Sequence, residues 1–365
     1  MNTNQNPPIR IPEAELRKFC EQIFIKLGVP ENDAKTTTDI LISADLRGIE
    51  SHGVARLSRY VDGLKSGSIK PTNNSQIVTE TKITALIDGG QSLGQVVAHQ
   101  AMELAIQKAK ETGLSAVTVR NSNHYGIAAY YSMMALKENF IGINMTNAAP
   151  LIVPTFGKQA ILGTNPISFT APTKNQKPFV LDMATSVVPR GKLEVLERAN
   201  KPMKMGWAVD ETGKESTDAG QVLKSMLNRL GGGLLPIGGS GEDNSGHKGY
   251  GLAFVVDILC GVLSGAATGL EVYSKPQQAN VGHFFLVIDP AAFRPLDEFT
   301  TNMDRLIQEL KQSPKADLQT DIYIPGEKSY KRTETNLNQG APIRPEVAST
   351  LSQIGNDLGI EWIQA

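Results

Sequence analysis

Near Ile83 the spacing of apolar residues changes, and no other feature constrains the fold as strongly. Before it, apolar residues recur every three or four positions. Leu16, Phe19, Ile23 and Leu27 line one side of PEAELRKFCEQIFIKL, which begins at Pro12 and is closed by Gly28. A second amphipathic helix is expected from about Glu31 to Arg47, and a third from near Ser51. After Ile83, strands alternate with helices: ITALIDGG reads as a strand, QVVAHQAMELAIQKAKETG as a helix stopped by Gly113, LSAVTVRNS as a strand and AAYYSMMALKEN as a helix. FIGINMT, ISFTAP and FVLDMA follow as strands with short connections, which favours a partly antiparallel sheet over a regular parallel one. The segment from Val187 to Glu215 reads as an irregular excursion, and Gly231 to Gly251 is glycine-rich. VGHFFLVIDP is a further strand, LDEFTTNMDRLIQELKQS an amphipathic helix, and a final helix is expected from about Arg344 to Leu358.

A chain of 365 residues is long enough for one large or two ordinary domains. Its 36 Lys plus Arg against 37 Asp plus Glu leave a net charge of -1, which offers no field for a nucleic-acid backbone or an anionic membrane. Small-molecule chemistry is the expectation. The run GYGLAFVVDILCGVLSGAATG imitates a membrane span, but Asp257 near its middle is costly at bilayer depth, so it reads as a buried helix. Cys20 and Cys260 read as reduced core thiols. MNTNQNPPIRIPEAEL lacks a basic start followed by an apolar run, so a cytoplasmic protein is expected.

A Rossmann fingerprint needs a strand, Gly-x-Gly-x-x-Gly and a helix, so that backbone N–H groups hold a pyrophosphate, and no such match exists. Gly241-Glu-Asp-Asn-Ser-Gly246-His247-Lys248 resembles a phosphate loop, but Lys248 is displaced by one and followed by Gly249. It reads equally as an anion site at a helix N-terminus and as a surface loop with a solvated lysine. No His-Glu-x-x-His, cysteine pair or His/Asp cluster marks a metal site, and no Gly-x-Ser-x-Gly marks a serine nucleophile.

In RGIESHGVARLSRY a helix would place His52, Arg56 and Tyr60 on one face, with Ser51 beside them; whether that face meets water or a pocket is open. His124 lies in Arg120-Asn-Ser-Asn-His-Tyr-Gly126, between a strand and a helix, where scaffolds present catalytic groups. A neutral imidazole there can accept a hydroxyl proton. Taken alone, either histidine reads as structural, and His99 and His283 read as core or surface residues. Asp182-Met-Ala-Thr-Ser186 suits either a close-approaching cofactor or an ordinary turn, and Lys328 reads as a solvated turn charge.

Seven segments in order over roughly residues 10 to 345 carry a resemblance: RGIESHGVARL, VRNSNHYGIAAYY, GTNPISFTAP, VLDMATSVVPRGKLE, SGHKGYGLAFVVDILCGVLSGA, FFLVIDP and IPGEK. The chain resembles the NAD(P)-dependent malate and L-lactate dehydrogenases of the second type, the sulfolactate dehydrogenase-like family. The resemblance implies a non-Rossmann α+β fold. Residues 1–80 with about 290–365 would form a helical substrate-side region, and 81–289 a mixed, largely antiparallel cofactor domain. It implies a homodimer with the active site near the subunit interface. Ser51, His52, Arg56, Tyr60 and His124 would line the substrate site, with His52 or His124 transferring the proton. Asp182, Met183, Ala184 and Thr185 would lie beside the nicotinamide, and His247, Lys248, Gly326, Glu327 and Lys328 would contact the nucleotide. The implied cofactor is NAD, with NADP as the alternative. The implied reaction interconverts an (S)-2-hydroxy acid and its 2-keto acid, malate first. Lactate, sulfolactate, ureidoglycolate, a cyclic imino acid and a non-catalytic ligand-binding role stand as alternatives.

Overall fold

The computed structural model describes residues 7–316 and 320–362. Strand β1 (Ile9–Ile11) leads into helices α1 (Glu13–Lys26) and α2 (Glu31–Leu46), each entered through a proline in extended geometry, Pro12 and Pro30. The three-or-four spacing of α1 does what it implies: Leu16, Phe19, Cys20, Ile23 and Phe24 are buried on one side.

The helix expected from Ser51 does not form there. Two 3-10 turns, Glu50–His52 and Val54–Arg56, come first, and α3 (Leu57–Ser66) starts afterwards. The cause lies in α2: the Asp45 carboxyl group accepts the Val54 N–H at 2.8 Å and presses against Gly53, where a Cβ would stand 2.0 Å from Asp45 Oδ1. His52, Arg56 and Tyr60 therefore do not share one regular helix face.

From here the chain builds a sheet. Strands β2 (Gln76–Glu80) and β3 (Thr84–Asp88) precede α4 (Gly94–Thr112), β4 (Leu114–Ser122), α5 (Ala128–Met134), β5 (Ile141–Thr146), β6 (Ile167–Ala171) and β7 (Phe179–Met183). Next come α6 (Arg190–Arg198), β8 (Ala208–Val209), α7 (Ala219–Leu227), β9 (Gly233–Leu234), α8 (Gly246–Asp257) and β10 (Val281–Ile288). The chain closes with α9 (Leu296–Gln312), α10 (Glu327–Gln339), β11 (Ala341–Ile343) and α11 (Pro345–Leu358). Seven strands form one sheet in the order β2-β3-β4-β10-β5-β6-β7. Every pair is antiparallel except β3 with β4, whose parallel pairing is allowed by the α4 crossover. The fold is α+β, with a mixed, largely antiparallel sheet.

Burial explains which segments were readable. The stretch from Val187 to Glu215, expected to be irregular, contains α6, whose single buried residue is Leu193 and which therefore carries little periodic signal. Strand β2 is exposed throughout. The apolar run after Gly249 is α8 continued by a π-helical turn, Ile258–Val262. Its Asp257 is buried and accepts the Gly269 N–H at 3.1 Å. Cys20 and Cys260 are buried free thiols. Among the described residues no helix is long and apolar enough to cross a membrane.

Two cores position the site. One joins both chain ends: Ile11 of β1, the buried side of α1, Ala341 and Ile343 of β11, and Leu351 and Ile354 of α11. The other fills the space between α4, α5 and the sheet, with Val97, Met102, Val117, Tyr131 and Phe285 fully buried. The loop carrying His124 emerges from the second core and α3 from the first.

Candidate active site

The Asp45–Val54 hydrogen bond fixes the turn that presents His52. Burial pushes the Asp45 carboxyl up to about 8, against the pull of the Val54 N–H, so it is held largely protonated at neutral pH. On the exposed side of this turn, Ser51 Oγ and His52 Nδ1 are 2.9 Å apart, and Arg56 Nε donates to Ser51 O at 2.7 Å. Among the described residues Arg56 Nη1 and Nη2 have no hydrogen-bond partner.

His124 is fixed from two directions. The preceding Asn123 donates from Nδ2 to Gln91 O and Ser92 O, at 3.1 and 2.9 Å. The following Tyr125 stacks on His283, ring centres 4.7 Å apart and 5° from parallel, and donates to Asn144 Oδ1 at 2.9 Å. His283 is fully buried between Thr146 Oγ1 and Ser122 Oγ, 2.8 Å from each, and is a core histidine. So anchored, His124 meets the buried Tyr60: Nδ1 and the hydroxyl are 2.6 Å apart. Its ring stacks against His52 with centres 5.7 Å apart and planes at 21°. Ser51, His52, Arg56, Tyr60 and His124 thus come together although 64 residues separate Tyr60 from His124.

The electrostatics of this group follow from burial beside cations. Surrounding protein, then Arg56 and Arg59, push His52 down to about 4. Burial, then Arg59, His52 and Arg56, hold His124 well below the usual imidazole range. Both rings are therefore neutral near pH 7 and able to accept a proton. Nδ1 is approached by both the Tyr60 hydroxyl and the Gly126 N–H, the latter at 3.4 Å, and the tautomer that carries its proton on Nδ1 and donates it to Tyr60 Oη leaves Nε2 a free lone pair.

The second group of residues gathers on β7. Asp182 Oδ2 accepts the N–H of Ala129, the second residue of α5, at 2.8 Å, which connects it to the loop of His124. Burial raises its pKa to about 6, opposed by that N–H and by Arg47. Met183 and Ala184 are half-buried. The buried Thr185 donates from Oγ1 to Thr164 O and Asn165 O at 3.1 and 3.2 Å, and its carbonyl accepts the Ile237 N–H at 2.9 Å. That last bond brings in the glycine-rich loop, which lies directly on the start of α8: a Cβ on Gly246 would stand 2.1 Å from Gly239 O, and one on Gly249 2.1 Å from Ile237 O. His247 and Lys248 are exposed on this first helical turn. On the other edge of β7, Val180 N donates to Pro325 O at 3.2 Å, and Gly326, with φ of 98°, packs on Val180. Glu327 caps α10 by accepting the Ile324 N–H at 3.1 Å and pairs with Lys311. Lys328 Nζ lies 4.4 Å from the centre of the Tyr323 ring, so it is not simply a solvated charge.

Three contributors escaped the sequence reading. Asp45 sits inside α2, where nothing in the periodicity distinguishes it from a surface acid. Arg47 is 5% exposed, lies 5.3 Å from the Tyr330 ring centre, and its Nε has no hydrogen-bond partner among the described groups. Arg59, inside the segment that drew attention to Arg56, donates from Nη2 to the Tyr273 hydroxyl at 2.6 Å. Among the described residues no group of three His, Cys, Asp or Glu could hold a metal.

Comparison with known proteins decides the class. Residues 11–352 match the family model for malate/L-lactate dehydrogenase. The chain belongs to the malate/L-lactate dehydrogenase family. It is 50% identical to the malate dehydrogenase of Pyrococcus horikoshii over 356 residues, 97% of each chain. It is 40% identical to the malate/(S)-sulfolactate dehydrogenase of Methanothermus fervidus over 353 residues, 96% of this chain and 98% of that one. The solved structure of the Pyrococcus horikoshii malate dehydrogenase superposes with a TM-score of 0.89 at 47% identity, covering 99% of both chains. That of malate dehydrogenase from Entamoeba histolytica gives 0.93 at 34% identity, covering 97% of this chain and 99% of that one. Membership of this malate/L-lactate dehydrogenase family makes the chain a 2-hydroxy-acid dehydrogenase, and it accounts for the absence of a Rossmann fingerprint.

Proposed function

We propose that this family member interconverts malate and oxaloacetate with NAD, or with NADP as the alternative. The observation that carries the reading is a pair of neutral, stacked imidazoles beside an arginine whose two Nη groups are free. Arg56 binds the C1 carboxylate, preferably with both Nη groups, because guanidinium geometry matches two carboxylate oxygens. His124 Nε2 takes the hydroxyl proton in oxidation and returns it in reduction. Tyr60 holds that ring at Nδ1, and His52, oriented by Ser51, lines the same site. The rigid anchoring of Tyr60 and of the Asn123–Tyr125 segment favours His124 as the base, with His52 as the alternative.

The residues present fit a dinucleotide. Met183 and Ala184 offer unbranched side chains beside the fixed Asp182, where a flat ring can lie. Lys248 is exposed, in no ion pair among the described residues, and sits at the N-terminus of the 12-residue α8, whose dipole favours an anion. Asp182, Met183, Ala184 and Thr185 would hold the nicotinamide; His247, Lys248, Gly326, Glu327 and Lys328 would hold the nucleotide, Glu327 through its backbone because its carboxylate is already engaged. When bound, the cofactor supplies the acceptor for the C2 hydride.

The same reading takes residues 1–80 with about 290–365 as the substrate-side region, 81–289 as the cofactor domain, and the working unit as a cytoplasmic homodimer with its site near the interface. The test follows NADH and NADPH absorbance with oxaloacetate and, separately, pyruvate. Consumption of either coenzyme with oxaloacetate is expected. Coenzyme binding without turnover of any 2-keto acid would overturn the proposal.

A further inference from the structure

Two guanidinium groups stand beside the paired histidines, and among the described residues neither is in an ion pair. Arg56 and Arg59 are three residues apart, a spacing that makes neighbours on a helical surface, and each acts electrostatically on both His52 and His124. Among the described residues Arg56 is hydrogen-bonded only through Nε to Ser51 O, and Arg59 only through Nη2 to the Tyr273 hydroxyl. Nearby carboxylates do not compensate them. Glu194, which acts on Arg56, is engaged by Arg190 at 2.8 Å, and Asp62, one turn along α3, is within ion-pair distance of no described cation. Arg59 is held in place by more than its hydrogen bond: its guanidinium carbon lies 5.1 Å from the Tyr273 ring centre. There it borders a cleft of about 520 Å³, lined also by Tyr60, Asp62, Asn123, His124 and Tyr273.

We propose that Arg59 binds the second anionic group of the substrate, so that the site selects dianionic 2-hydroxy and 2-keto acids over monoanionic ones. This rests on the reading above, in which Arg56 holds the C1 carboxylate. A substrate with one anionic group leaves the exposed Arg59 guanidinium without an anionic partner at the cleft, so the second charge-assisted contact is never made. A second carboxylate on the far carbon supplies that partner and adds charge-assisted hydrogen bonds. Arg59 thereby discriminates between malate and lactate without touching the reacting carbon. Tyr273 is the positioning residue: it keeps the guanidinium at the cleft through one hydrogen bond and one aromatic face.

The experiment compares oxaloacetate and pyruvate reduction in the wild type, Arg59→Gln, Arg59→Lys and Tyr273→Phe. Arg59→Gln is expected to raise KM for oxaloacetate roughly 10- to 100-fold, with kcat changed by a smaller factor and pyruvate kcat/KM nearly unchanged. Arg59→Lys should restore part of the loss, and Tyr273→Phe, which leaves the charge in place, should raise the same KM by about a few-fold. Succinate, an unreactive dianion, should inhibit the wild type and raise its Tm, and do neither in Arg59→Gln. Equal losses on both substrates, or wild-type reduction of pyruvate as efficient as that of oxaloacetate, overturn the assignment. If Arg59→Gln fails to fold, the Tyr273→Phe comparison and wild-type succinate protection decide it. A wild type that reduces neither keto acid instead overturns the reading on which this inference rests.

Discussion

The Tyr60 hydroxyl and His124 Nδ1 lie 2.6 Å apart, joining helix α3 to the loop at the end of β4. Tyr60 is fully buried, and burial raises its pKa, so the phenol stays protonated through the neutral range. The contact fixes which imidazole nitrogen is engaged and leaves Nε2 for the substrate. Tyr60→Phe keeps the ring packing and removes only this bond. It should lower kcat about 10- to 100-fold, as expected for loss of orientation of a general base, and cost about 1 kcal/mol of stability. Steady-state kinetics beside a denaturant melt check this; unchanged kcat in a folded variant would remove Tyr60 from the catalytic group.

The two histidines separate by size of effect. If His124 is the base, His124→Ala should lower turnover by roughly two to four powers of ten, while His52→Ala acts mainly on KM. The reverse pattern assigns proton transfer to His52. Near-native turnover in both variants would falsify imidazole proton transfer altogether.

Acid sensitivity follows from the same field. Oxidation requires a neutral imidazole, and burial together with Arg56 and Arg59 moves His52 to about 4 and His124 well below its usual range. The acid limb of kcat/KM for 2-hydroxy-acid oxidation should therefore fall below pH 6.5, and Arg59→Gln should move it upward by removing one repulsive charge. A limb at pH 7 or above in the wild type contradicts neutral, depressed imidazoles. The measurement is a pH profile of kcat/KM corrected for the ionisation of the acid itself.

Much of this arrangement was legible because it is written in local spacing. Leu16, Phe19, Ile23 and Leu27 mark α1 because that side lies against a core, whereas FIGINMT, ISFTAP and FVLDMA mark β5 to β7 by apolar alternation alone: in β5 and β6 the Ile, Met and Phe positions are half-buried and the buried alternates include Gly142, Asn144, Thr146, Ser168 and Thr170. Strand β2 and helix α6 were illegible for the opposite reason: they bury little, so composition leaves no period. Strand β10 was recognised as a strand, but its place between β4 and β5 is a non-local fact, set by pairing of His283 with Val119 and Thr146 across long separations. In the site, the segment from Ser51 to Tyr60 was recognised while its geometry was not. A helical wheel assumes an unbroken helix, and the break at Gly53 is imposed by Asp45, a contact that no single-element pattern encodes. The meeting of Tyr60 with His124 and the anchoring of Arg59 on Tyr273 are non-local in the same sense.

That break gives the last prediction. Gly53 has φ of -85°, which any residue adopts, so its requirement is steric and comes from Asp45 Oδ1 at 2.0 Å from the missing Cβ. Gly53→Ala must displace either the carboxyl or the turn carrying His52, and should cost about 1–3 kcal/mol together with most of the activity. Asp45→Asn keeps an oxygen that can accept the Val54 N–H and should fold well. Its effect on pH dependence is directional. The Asp45 pKa is raised from 3.8 to about 8 in the folded protein, so folding holds a proton that the unfolded chain has lost. Wild-type stability from this group is full below pH 3.8 and declines as pH rises through 8. Asp45→Asn removes that decline, so its Tm relative to the wild type should rise between pH 5 and 9. A Tm difference constant across that range would show that Asp45 is ionised in the folded protein, and would transfer the break at Gly53 to a charged cap.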